Sequence, residues 1–142
     1  MKELEGKIVE KVFVDDKQHT LVFVTDTGEQ IAYATEADCC SETWFADIVG
    51  IEAILGYKST SNNLFRKIRE IQLLDMEWYP VEDGRSRQET DRAYGYRLWT
   101  PLGRTAIAFR NSSNGYYGGN ISLCKVQIDT SKMKQITEDW HA

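Results

Sequence analysis

Three runs of β-branched and aromatic residues, KIVEKVFV at 7–14, HTLVFVT at 19–25 and EQIAYAT at 29–35, are separated by only four and three polar residues. Strands joined so closely must pair antiparallel, because a parallel return needs a crossover of about a dozen residues. DDKQ and Asp26-Thr27-Gly28 supply the turn residues. A three-stranded meander is therefore predicted for the first quarter of the chain. It commits the rest of the molecule to completing and covering a sheet.

The pattern changes after residue 37. Trp44, Phe45 and Ile48 fall at i, i+1 and i+4, which predicts a short helix, with Asp38 or Ser41 placed to cap it and Gly50 to stop it. Ile51, Ile54 and Leu55 predict a second short turn ended by Gly56. YKSTSNN at 57–63 reads as a loop. The stretch from Leu64 to Tyr79 carries both periods; a strand over 68–78, closed by Pro80, is the favoured reading over a helix. Residues 81–91, VEDGRSRQETD, hold one valine among ten polar residues or glycines and read as a surface loop. Strands are predicted at 92–100, 103–110 and 120–128, and the last residues, 129–142, as a closing helix or a frayed tail. The sum is one α+β domain over 1–142 with its core in about 6–128. It is mostly antiparallel β-sheet of about six to seven strands, with one or two short helices after the first three.

The formal charge is −5, and no basic run is long enough to line a duplex, so duplex nucleic acid is not the expected partner. The start of the chain, MKELEGKIVEK, is too charged for a secretory signal, and no apolar run approaches the roughly 18 residues of a membrane span. Three cysteines, two of them adjacent, make no disulfide framework. Cytosolic residence follows as the expectation.

Two segments concentrate unusual chemistry. In FRNSSNGYYGGN, Gly115, Gly118 and Gly119 allow the backbone close to a ligand, and successive amides there can form an anion site. Arg110, Asn111 and Asn114 add polar groups, and Tyr116 and Tyr117 add flat faces. Arg104, Trp99 and Arg97 on neighbouring strands extend the set. Arginine, glycine amides and aromatic faces are the parts that hold a phosphorylated nucleoside; the bland alternative is a long hairpin with an Asn-Gly corner and packed tyrosines. In DCCSETWF, Asp38, Cys39, Cys40 and Glu42 invite a metal reading. Adjacent cysteines do not converge on one ion, however, so Cys39 and Cys40 read as small packed residues and no metal or cofactor is expected. Trp44 and Phe45 read as core. His19 and His141 are the only histidines, and neither is placed by sequence beside a nucleophile.

Taken together, DCCSE-x-W and FRNSSNGYYGG resemble a family of small phage and prophage proteins classed as a domain of unknown function, over about Gly6 to Val126. The resemblance implies an α+β fold and a phage or prophage source, and it brings no catalytic residue. Small phage proteins often counter host defence, some by sequestering nucleotide signals such as cyclic ADP-ribose isomers or cyclic oligonucleotides. By that association the expected function is a non-enzymatic, homo-oligomeric sponge for a phosphorylated nucleotide in the host cytosol. The alternatives are an inhibitor docking on a host defence protein and, third, a nucleotide hydrolase.

Overall fold

The computed structural model describes residues 1–37, 42–56, 63–75, 90–113 and 119–142. The expected meander is present. β1 (Val9–Val14), β2 (Thr20–Thr25) and β3 (Gln30–Ala37) pair antiparallel in sequence order. Local chemistry closes each turn. Asp15 Oδ1 accepts from the amides of His19 and Thr20, both at 2.8 Å, and Thr25 N donates to the Glu29 carbonyl at 2.9 Å.

β4 (Glu42–Val49) follows, then a single helical turn α1 (Glu52–Leu55), a 3-10 turn at Asn63–Arg66, and β5 (Glu70–Asp75). β6 (Thr90–Thr100), β7 (Gly103–Ser113) and β8 (Gly119–Leu123) come next, and two short strands, β9 (Lys134–Gln135) and β10 (Trp140–His141), end the chain. They form two antiparallel five-stranded sheets, in the orders β8-β3-β2-β1-β9 and β10-β4-β7-β6-β5. One hydrophobic cluster holds Val12, Leu21, Phe23 and Tyr33 from the first sheet with Phe45, Ile48, Ile107 and Phe109 from the second. The sheets therefore share a core, in the manner of a sandwich.

Three expectations change. First, the segment read as a helix around Trp44–Ile48 is strand β4. Its helical spacing comes from a bulge: Phe45 pairs with Phe109 and Asp47 with Ala108, so Ala46 is an extra residue. That insertion puts Phe45 and Ile48 on the same face three positions apart, which imitates a helical stripe. Second, the tail is neither helix nor frayed. β9 pairs with β1, β10 pairs with β4, and Ile136 and Trp140 are buried between them. Third, the described strands number ten, against the six or seven expected. The strand favoured within 68–78 is present as β5, and the turn ended by Gly56 is present as α1.

Gly50 closes β4 with φ +75°, a conformation that side chains disfavour, and a Cβ there would run into the Arg104 carbonyl oxygen. The nearby Arg66 is 8% exposed and donates to the backbone carbonyls of Ile54 and Val9, tying α1 to the first sheet.

Candidate functional site

Side chains alternate across a strand, so register sorts the second sheet into an inner face and an outer one. Tyr94, Tyr96, Leu98, Ile107 and Phe109 face the shared core, where Phe109 stacks on both tyrosines. The outer face carries a different chemistry, laid out in rows that cross the strands. Trp44 pairs with Arg110, and Arg110 with Ala93. In the next row His141 pairs with Asp47, Asp47 with Ala108, Ala108 with Gly95, and Gly95 with Leu74. Then Val49, Ala106, Arg97 and Gln72 align, and finally Arg104, Trp99 and Glu70.

Two arginine–tryptophan clusters therefore stand at the ends of a strip floored by small residues. Arg97 and Arg104 each place Cζ 5.7 Å from the Trp99 ring centroid, and Arg110 places Cζ 5.5 Å from that of Trp44. These are cation–π distances. Six residues of strand separate Arg104 from Arg110, about 20 Å at the usual rise. Leu74 packs on Ala93 and Ala108 between the clusters. Among the described residues, Arg97 Nε and the Ser112 hydroxyl are buried with no hydrogen-bond partner, and Ser112 lies two positions beyond Arg110 on this face.

At one side of the strip the bulge in β4 turns Asp47 outward, where its Oδ1 lies 2.6 Å from His141 Nδ1. The Asp47 side chain is 11% exposed and the imidazole 66% exposed. The carboxylate fixes the ring and leaves Nε2 as the available nitrogen.

Of the residues singled out by sequence, Arg97, Trp99, Arg104 and Arg110 are brought to one face. Asn111 is not with them. It is 1% exposed and points to the inner side, where Nδ2 donates to Thr43 Oγ1 at 2.9 Å and to the Glu42 carbonyl at 3.3 Å. Gly119 opens β8 in the other sheet, paired with Ala37. Asn114, Gly115, Tyr116, Tyr117 and Gly118 lie outside the described residues, as do Asp38, Cys39, Cys40 and Ser41.

The ends of these two segments are nevertheless fixed. Ala37 pairs with Gly119 in the first sheet and Glu42 pairs with Ser112 in the second. These four flanking residues mark the end of the sandwich where Arg110 and Trp44 lie. Sequence reading missed Trp44, Asp47, His141 and Ser112. A strand reading of 42–49 would have put Trp44 and Phe45 on opposite faces, but the bulge hid it.

Among the described residues no three His, Cys, Asp or Glu side chains are grouped to hold a metal ion. No helix among them is long and apolar enough to cross a membrane.

The molecule is thus a two-sheet antiparallel β protein with an arginine- and tryptophan-bearing outer face. The chain belongs to the DUF7448 family, a domain of unknown function, which it matches over residues 2–123. An uncharacterised protein of Acanthamoeba polyphaga mimivirus is 32% identical to it over 115 residues, 78% of this chain and 82% of that protein. No solved structure matches the chain.

Proposed function

We propose that this protein is a non-enzymatic binder that sequesters a phosphorylated nucleotide on the outer face of the second sheet. The observation that carries the reading is the Arg97–Trp99–Arg104 cluster, two cations on one indole ring, with an Arg97 Nε that is buried and has no hydrogen-bond partner among the described residues. A guanidinium recognises phosphate through several donors in a fixed fork, and an indole offers a face on which a base stacks. The second cluster, Trp44 with Arg110, repeats the same pair of functions where the start of β4 pairs with the end of β7. A face with two such clusters suits a ligand with more than one phosphate or base, such as a cyclic oligonucleotide or a cyclic ADP-ribose. The mimivirus relative supports a viral source for the chain, a setting in which removing a host defence signal would be useful.

The test is a thermal-shift screen of the purified protein against ADP-ribose derivatives, cyclic dinucleotides and cyclic trinucleotides, with bound nucleotide recovered and checked by chromatography. A ligand at 100 times its dissociation constant adds about 2.7 kcal/mol to stability. Recovery of intact ligand is the expected result, with Arg110→Ala or Arg97→Ala weakening binding by about tenfold or more while the variant stays folded. A chemically altered nucleotide would replace the binder with a hydrolase. Silence across the panel would move the function to docking on a host protein. Light scattering with and without ligand tests the homo-oligomer in which a second copy closes over this face.

A further inference from the structure

His141 lies outside the residues matched by the family and is brought back to the outer face by β10. Its partner, Asp47, faces outward because of the bulge at Ala46. A strand without that extra residue would send residue 47 to the inner face, against the core. The contact is short, 2.6 Å, and its direction is decided by chemistry. A carboxylate only accepts, so the proton of the contact sits on Nδ1, and a ring that carries that proton alone offers Nε2 as a hydrogen-bond acceptor. An acceptor held in one orientation does not suit a phosphate oxygen, which also accepts. It suits a hydroxyl.

The position agrees. His141 stands two strands from β7, about 10 Å at ordinary strand spacing, and one row from Arg110 and Trp44. That separation matches a nucleotide whose phosphate is on Arg110, whose base is on Trp44, and whose sugar lies beside them. The buried Ser112 hydroxyl, without a partner among the described residues, adds a polar group at the same end.

We propose that His141 Nε2, oriented by Asp47, accepts a hydrogen bond from a sugar hydroxyl of the ligand, so that this face selects ribonucleotides over 2′-deoxy analogues. The proposal rests on the nucleotide-binding reading and narrows it to a substrate class. A site built to bond a hydroxyl discriminates strongly against the analogue that lacks it, because the acceptor is then left unpaired.

The experiment compares cyclic di-AMP and cyclic di-GMP with their 2′-deoxy counterparts, by calorimetry, on the wild-type protein and on His141→Leu. The wild type is expected to favour the ribo form by about tenfold or more, and His141→Leu to bind both forms at the weaker affinity. Imidazole resonances of His141, read against those of His19 on the β1–β2 turn, are expected to move with the ribo ligand and not with the deoxy one. His141 is exposed, so an unchanged melting temperature certifies the variant. Equal affinity of the wild type for both sugars, or a ribo preference surviving in His141→Leu, overturns the inference while leaving the binder intact. Absence of binding by any of these cyclic dinucleotides removes the inference as stated. Only silence across the wider panel also removes the binder.

Discussion

Asp139 Oδ1 accepts hydrogen bonds from the amides of Gly50 and Ile51, at 2.8 and 3.0 Å, and so fastens the end of the chain to the turn that follows β4. The same terminal segment is held at the other sheet by Gln30, whose side chain donates to the Ile128 carbonyl and accepts from the Ile128 amide. With β9 on β1 and β10 on β4, residues 128–142 cross from one sheet to the other and staple both. Asp139→Ala leaves two turn amides without their carboxylate. The expected loss is about 1–2 kcal/mol in urea unfolding, the low end for charged hydrogen bonds because the site is partly wet. A variant within 0.3 kcal/mol of wild type, well under a typical hydrogen bond, would mean that the strand pairing alone holds the segment.

Gly50 is the residue that this staple reaches, and its own conformation admits no side chain. At φ +75° any L-residue is strained, and the added Cβ meets the backbone carbonyl of Arg104, which cannot swing away as a side chain would. Gly50→Ala is expected to cost about 2–4 kcal/mol, from left-handed strain and displacement of the β7 backbone. The displaced strand carries Arg104, so ligand affinity at the Trp99 cluster should fall as well. Equilibrium unfolding and calorimetry on the same variant read the two effects separately.

The fold was legible where the chain makes its own turns. DDKQ and DTG close β1–β2 and β2–β3 with backbone and aspartate bonds spanning five residues or fewer, and local sequence carries that information. It was hidden where long-range pairing overrode local period. The bulge at Ala46 gave β4 a helical spacing, and β9 and β10 are two residues each, too short to leave any alternation. For the candidate site, glycine and tyrosine composition pointed to the loop. Only register could show that Arg97, Trp99, Arg104 and Arg110 share a face while Asn111 does not. Register also brought in Trp44 and Asp47, which belong to a strand that sequence took for a helix.

Inside the core, Tyr33 donates its hydroxyl to Glu3 Oε1 at 2.9 Å. Burial, then the hydrogen bond to Glu3 and its negative charge, push the Tyr33 hydroxyl well above its ordinary value. A group whose folded value is raised holds its proton longer when folded than when unfolded. Its stability contribution is therefore complete below about pH 10, the unfolded value, and declines as pH rises above it. Urea unfolding between pH 8 and 11 should show stability falling through the upper part of that range. Tyr33→Phe should cost about 1 kcal/mol at pH 8 and flatten the alkaline slope. An alkaline slope unchanged in Tyr33→Phe would assign it to another group; Tyr96, raised chiefly by burial, is the first to test.

Arg110 and Asn111 are adjacent in the FRNSSN segment, and composition gives no reason to separate them. The sheet separates them by face. Asn111 is buried beneath β4 and β6, bonded to Thr43 Oγ1 and the Glu42 carbonyl, so it pins the start of β4 to β7 from the core side. Removing its amide takes a hydrogen-bond donor from the buried Thr43 hydroxyl and from the part-buried Glu42 carbonyl. Asn111→Ala is expected to cost about 1–3 kcal/mol in stability. It should leave nucleotide affinity within about twofold, a shift of only ~0.4 kcal/mol, when binding is measured under conditions where the variant is folded. Arg110→Ala should do the reverse, with affinity lost and stability nearly kept. If Asn111→Ala instead abolishes binding without lowering stability, the ligand sits between the sheets and the outer face is not the site.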